Sequence, residues 1–215
     1  MAKFKSKINL GSGPGQISAM AYTHIDASRK LLMAKIPFTA IWLKLFGVDS
    51  NTWDRRTKFR NVNGLRFKEN SLSCVYSSHL LEHLYFSDAV DLISHLYFSL
   101  EEGGLIRLVL PDYDAIIKEF VKSSIENPGA AMQTLHDRIL SFPKQRPSFL
   151  AKLRQIITGD LHVHRWLPNF AIVESLLRDV GFKEIKRMEY RESLLEEIEL
   201  LEKRDLQSFY IEAHK

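Results

Sequence analysis

Leu65-Arg66-Phe67-Lys68-Glu69-Asn70-Ser71-Leu72-Ser73-Cys74-Val75-Tyr76-Ser77-Ser78-His79-Leu80-Leu81-Glu82-His83-Leu84 is the stretch on which the reading of this chain turns. Leu72 to Tyr76 is a short apolar run held between Asn70-Ser71 and Ser77-Ser78, which predicts a strand ending in small polar residues. Upstream, Lys7-Ile8-Asn9-Leu10 runs into Gly11-Ser12-Gly13-Pro14-Gly15, a strand entering a glycine turn. Tyr22 to Ile25 predicts a second strand, closed by Asp26. Downstream, Ala89, Val90, Leu92, Ile93, Leu96, Tyr97 and Leu100 recur at helical spacing over Ser87 to Leu100. Gly103-Gly104 is expected to stop that helix, and Leu105 to Leu110 to form the next strand, ended by Pro111-Asp112.

The remainder continues the alternation. Tyr113 to about Gly159 is helical in pattern, with a break at Pro143 and Pro147. Pro168 to Val180 reads as a helix capped by Gly181, and Lys183 to Tyr190 and Ser208 to Ala213 read as two final strands. Strands alternating with helices predict an α/β fold with a mostly parallel sheet. The 215 residues suit a single domain, 1–215, with helical inserts at about 31–60 and 115–160.

Composition sets further bounds. Hydrophobic residues make up 45% and charged residues 26%, the balance of a globular protein that needs no disulfide or structural metal. The lone cysteine, Cys74, reads as a buried thiol. Met1 to Lys7 is basic but leads straight into a strand, without a signal-peptide pattern, so a reducing cytoplasm is the expected location. The net charge of +4 is compatible with an anionic substrate, RNA or an acidic membrane surface, and selects none of them. Lys and Arg are scattered, so a nucleic-acid footprint is weakly supported. Leu31 to Val48 is mostly apolar, but Lys35, Pro37 and Lys44 argue against a membrane span. Two amphipathic helices broken near Pro37 fit better, either as core or as a peripheral membrane contact.

The glycine turn is the first candidate site. Its glycines let backbone approach a ligand, in the crevice beyond the strand ends where open α/β sheets bind. Gln16 stands where the dinucleotide fingerprint requires a third glycine, which counts against a nicotinamide cofactor. Asp26, next in order at a strand end, can accept two hydrogen bonds from a ribose diol. It follows Gly11 by only 15 residues, so any helix between them is very short or absent.

Taken in order, these elements resemble class I S-adenosylmethionine-dependent methyltransferases of the methyltransferase-11-like kind. The likeness is carried by Leu65 to Leu84 and by Gly103-Gly104-Leu105-Ile106-Arg107-Leu108-Val109-Leu110-Pro111-Asp112. It returns at His164-Arg165-Trp166, at Leu177, Val180-Gly181-Phe182, and at Tyr210-Ile211-Glu212-Ala213. The resemblance implies a Rossmann-like seven-stranded sheet with helices on both faces and its last strand antiparallel. It implies that Gly11, Ser12 and Gly13 face the methionine part of S-adenosylmethionine and that Asp26 holds the ribose. Asn61 would touch the adenine amine, and Ser77, Ser78 and His79 would lie near the sulfonium. The chain departs from the family pattern at Asn9, Arg66 and Ser73, in place of an acidic residue, a proline and an aspartate.

Methyl transfer to an oxygen needs a nearby base; His79, Asp112, His162 and His164 are the candidates, with Asp112 and His79 foremost. A small-molecule or glycan-type acceptor, methylated on a hydroxyl in surface polysaccharide synthesis, is what the resemblance suggests, and the inserts are expected to form its lid. Two rival readings remain. His79-Leu80-Leu81-Glu82-His83 is a literal H-x-x-E-H zinc-peptidase signature, which on a helix puts both imidazoles on one face; His162 and His164 could add a third ligand. His83 reads otherwise as a buried helix histidine. The other rival is an S-adenosylmethionine-binding protein without catalysis.

Overall fold

The computed structural model describes residues 5–14, 19–36, 54, 56–139, 148–149, 152, 163–203 and 207–215. Seven strands form one sheet: β1 (Ser6–Leu10), β2 (Tyr22–Asp26), β3 (Lys58–Phe59), β4 (Leu72–Ser78), β5 (Leu100–Pro111), β6 (Lys183–Met188) and β7 (Ser208–His214). Their order is β3-β2-β1-β4-β5-β7-β6. β1 to β5 pair in parallel, and β7 runs antiparallel to both β5 and β6. This is the Rossmann-like sheet with one reversed strand that the sequence led us to expect. The order reverses direction at β1, which puts a crevice beyond the carboxyl ends of β1 and β4.

Alternation along the strands sorts the core into two layers. Val75, Ile106, Leu108 and Ile211 face one side, with Ile8 and Leu10. There they meet Leu92, Ile93 and Leu96 of α2 (Phe86–Ser99) and Val173 and Leu177 of α5 (Phe170–Val180). Cys74, Tyr76, Leu105, Val109 and Tyr210 face the other side, covered by Leu195 and by Ile198 of the short helix α6 (Ile198–Leu201). Of the other helices, α1 spans Arg29–Lys35, α3 Tyr113–Glu126 and α4 Pro128–Ile139. α5 starts where the Asn169 side chain accepts the Ile172 amide, and stops at Gly181, whose φ of 116° only glycine adopts without strain.

Several local expectations are corrected. Gly103-Gly104 does not stop α2, which ends at Ser99; the pair lies inside β5, beside a register shift opposite Leu72 to Cys74. β4 extends two residues further than its apolar run, through Ser77 and Ser78. Within the described residues the helical stretch after Tyr113 is already interrupted at Asn127. Pro143, Pro147 and residues 37–48 of the apolar run lie outside the described residues. No helix among the described residues is long and apolar enough to cross a membrane.

Candidate functional site

β1 delivers Gly11, Ser12 and Gly13 to the crevice, and β2 delivers Asp26 beside them. The turn is fastened to the neighbouring strand, the Gly11 and Ser12 amides donating to the Ile25 carbonyl at 2.9 and 3.3 Å. Gly11 and Gly13 sit at φ of 69° and 66°, the left-handed region that favours glycine. Asp26 is buried and turned onto this corner: Oδ2 accepts the Gly13 amide at 2.9 Å, and Oδ1 accepts the Ser28 amide at 2.7 Å. A carboxylate has about four acceptor positions, so these two amides alone do not saturate it.

Space lies on the far side of the turn. A cleft of about 270 Å³ is bounded by Ser12 and Pro14 from the turn, Tyr76, Ser78 and His79 from β4 and its exit, and Glu202 and Lys203 after α6. A Cβ placed on Gly13 would meet no atom within 4 Å. The Ser12 hydroxyl is shielded from solvent and has no hydrogen-bond partner among the described residues. Ser12 on the cleft wall, with a buried hydroxyl that lacks a partner among the described residues and a glycine corner held by a carboxylate beside it, fits the methionine end of S-adenosylmethionine.

The expected site residues divide. Ser12, Ser78 and His79 line the cleft, whereas Gly11, Gly13 and Asp26 adjoin it through the turn without lining it, and Ser77 donates to the Leu10 carbonyl at 3.2 Å and serves the strand pair. Asn61 is exposed, just beyond the end of β3, whose Phe59 pairs with Asp26; it stands on the same sheet edge, outside the cleft wall. His79 is held in a left-handed conformation, φ 50°, with Nδ1 3.2 Å from Glu82 Oε1 and Nε2 3.0 Å from Ser208 Oγ. Backbone strain of this sort concentrates at functional positions. Asp112 is a helix cap: Oδ1 accepts the Ala115 amide at 3.0 Å and Oδ2 accepts from Arg187 at 2.6 Å. His164 is bonded through Nδ1 to the Tyr113 hydroxyl. His162, Gly15 and Gln16 lie outside the described residues.

The H-x-x-E-H expectation is corrected in its geometry. Only Leu81–His83 is helical, as a single tight turn, so His79 and His83 do not share a helix face. His83 instead lies against His164, their ring centroids 4.9 Å apart.

Two features of the site had weaker sequence signals. Glu202 and Lys203 reach the cleft through a segment with no motif. Arg107, in the middle of the apolar run Leu105 to Leu110, is fully buried, and that lone charge was the available signal. Its guanidinium donates to Glu202 at 2.6 Å, to Glu212 at 2.9 Å, and to the Glu192 and Glu189 carbonyls, and lies over the Tyr210 ring. The network fixes one wall of the cleft through Glu202 and Tyr210.

No family model matches this sequence, and no curated protein matches it. Several solved structures resemble it at low scores. Haemonchus contortus phosphoethanolamine N-methyltransferase 2, in complex with S-adenosylmethionine, is 17% identical with a TM-score of 0.47, over 100% of this chain and 50% of that one. This chain therefore spans half the length of the Haemonchus protein. An S-adenosylmethionine-dependent methyltransferase from Mesorhizobium loti is 16% identical with a TM-score of 0.49, over 98% of this chain and 90% of that one. Another from Thermotoga maritima is 14% identical with a TM-score of 0.46, over 100% and 84%. With TM-scores below 0.5 and identities of 14–17%, these likenesses carry no argument for this chain.

Proposed function

We propose that this chain is an S-adenosylmethionine-dependent methyltransferase acting on a small-molecule or glycan-type acceptor, through a hydroxyl group. The observation that carries the reading is the Asp26 carboxylate, buried at the end of β2 and turned onto a glycine corner that opens into a cleft. The ordered sequence motifs support the cofactor class. A cleft of about 270 Å³ with hydroxyl, imidazole, carboxylate and ammonium groups on its walls suits a small polar acceptor or a terminal sugar, as in surface polysaccharide synthesis.

When bound, the cofactor supplies an electrophilic methyl group on a sulfonium. The chain's part is alignment, which can lower such a barrier by several kcal/mol, up to about 7–11. In this reading Asp26 grips the ribose, Gly13 leaves room for the amino-acid end, and Ser12 offers its unused hydroxyl to it. His79 would take the proton of the acceptor hydroxyl, its ring oriented by Glu82. Asp112, whose oxygens hold an amide and Arg187, is not assigned that role.

The test is titration with S-adenosylhomocysteine, followed by turnover of S-adenosylmethionine with a panel of sugars and nucleotide-sugars. One bound equivalent and acceptor-dependent release of S-adenosylhomocysteine are expected. Absence of binding to the folded chain would overturn the assignment. Binding without turnover on any acceptor class would leave the non-catalytic rival.

A further inference from the structure

Three metal-ligating side chains meet behind the cleft wall. Glu82 and His83, in the turn after β4, and His164, in the segment leading into α5, each bring one ligand atom within 4.8 Å of the other two. We propose that Glu82, His83 and His164 form a binding site for a divalent transition metal of the zinc class, tying the turn after β4 to the segment before α5. The proposal shares Glu82 with the methyl-transfer reading, where it orients His79, but needs no bound cofactor.

Glu82 carries the argument. Its side chain is wholly buried, and Oε1 meets His79 Nδ1 at 3.2 Å. Oε2 has no hydrogen-bond partner among the described residues. Buried carboxylates are normally paired on both oxygens or bound to a metal, because removal from water costs far more than one hydrogen bond returns. The unused oxygen belongs to the same residue that stands within reach of two imidazoles.

Each imidazole has a polar partner at one ring nitrogen, an arrangement common among metal-bound histidines. His83 Nδ1 is 3.3 Å from the Val163 carbonyl, and His164 Nδ1 is bonded to the Tyr113 hydroxyl. The two segments are also in fixed register: the Arg165 amide donates to the Glu82 carbonyl at 2.7 Å, and the Trp166 indole to the Leu81 carbonyl at 2.9 Å.

The spacing fits a metal after small adjustments. A triangle with 4.8 Å sides puts each corner about 2.8 Å from its centre, so zinc bonds of about 2.0–2.1 Å need inward movements under about 1 Å. Rotation of side chains can supply that. Two imidazoles and one carboxylate suit Zn²⁺, with a fourth position open to water, and do not suit Mg²⁺ or Ca²⁺, which prefer all-oxygen shells. The site differs from the helix-borne signature, since His79 turns to Ser208 and, among the described residues, meets the cluster through Glu82.

The experiment uses tag-free, chelator-stripped protein whose fold is verified by circular dichroism. It is titrated with Zn²⁺ by calorimetry and with Co²⁺ by visible absorption. We expect one equivalent per chain and the strong visible bands of low-coordinate Co²⁺. His164→Ala and the isosteric Glu82→Gln should each weaken uptake at least about tenfold, and Tyr113→Phe roughly tenfold through its outer bond. His136→Ala, at an exposed position on α4, should leave uptake unchanged. If the folded wild-type chain takes up neither ion, or if Glu82→Gln and His164→Ala bind as tightly as wild type, the site does not exist. S-adenosylhomocysteine titration of the same samples separates the two readings, because metal uptake without nucleoside binding supports the metal site while removing the methyltransferase assignment.

Discussion

Asp26 and Gly13 are joined by a 2.9 Å hydrogen bond in which the carboxylate of β2 accepts the amide of the turn after β1. One side chain thereby shapes the glycine corner, and in the proposed reading the same carboxylate holds the ribose. Asp26→Ala is expected to weaken S-adenosylhomocysteine binding by about 1.5–3 kcal/mol, the scale of lost hydrogen bonds to a charged group. Calorimetry with unchanged affinity would remove Asp26 from the site.

Gly13→Val should separate binding from folding. At φ 66° a β-branched residue is strained, by about 1–2 kcal/mol or more, although its Cβ would enter open space. Gly103 has a similar φ, 74°, and similarly open surroundings, but lies in β5 away from the cleft. Both variants should lower the melting temperature by a similar few degrees, while only Gly13→Val abolishes the nucleoside titration. Loss of binding in both would mean that a general loosening of the fold is responsible.

The pairing of these two glycines also marks what the sequence could reveal. Gly13 follows an apolar strand and precedes Asp26 in order, so local pattern sufficed to place it. Gly103 carries the same turn signal, yet pairing with β4 draws the chain into a strand, and nothing local announces that partner. β3 is only two residues long, and such a strand has no periodicity to detect. The H-x-x-E-H spacing suggested a helix, but His79 leaves β4 in a left-handed conformation and its ring turns to Ser208. The partner that His83 does meet, His164, is distant in sequence. Contacts of that kind are fixed by topology, and topology was legible only as a class.

Asp112 illustrates the same point in a testable form. As a strand-end carboxylate it resembled a base, whereas its oxygens cap α3 and hold Arg187. Asp112→Ala should cost about 1 kcal/mol for the cap. The ion pair adds at most a further ~1 kcal/mol, since the Arg187 side chain is half exposed. Urea denaturation should register this loss while S-adenosylhomocysteine affinity stays as in wild type. A tenfold fall in affinity at normal stability would return Asp112 to the site.

Arg107→Met should be far more damaging than its size suggests. It leaves Glu202 and Glu212 buried without their common partner, and breaking a buried pair from one side costs about 3–5 kcal/mol. Combining it with Glu202→Gln and Glu212→Gln should recover part of the loss, because the unpaired charges are then gone. Denaturation midpoints for the single and triple variants decide the matter: a triple variant no better than Arg107→Met would mean that packing against Tyr210, not charge, sets the cost.

Cys74 gives the chain a defined alkaline weakness. Burial raises the thiol from its ordinary value near 9 to about 11, and the Tyr22 hydroxyl beside it is also pushed up by burial. A raised acid keeps its proton longer in the folded state than in the unfolded state. Between about pH 9 and 11 the native chain therefore binds more protons, and stability must fall as pH rises through that window. Below pH 9 the contribution is fully present. The same protonation should make the thiol inert to an aromatic disulfide reagent at pH 8 until denaturant is added. Replacing Cys74 with alanine should flatten the decline in melting temperature between pH 9 and 11, although a cavity lowers the curve throughout. A variant whose decline is as steep as that of wild type would show that buried phenols such as Tyr22 and Tyr76 dominate, since burial raises these hydroxyls in the same direction.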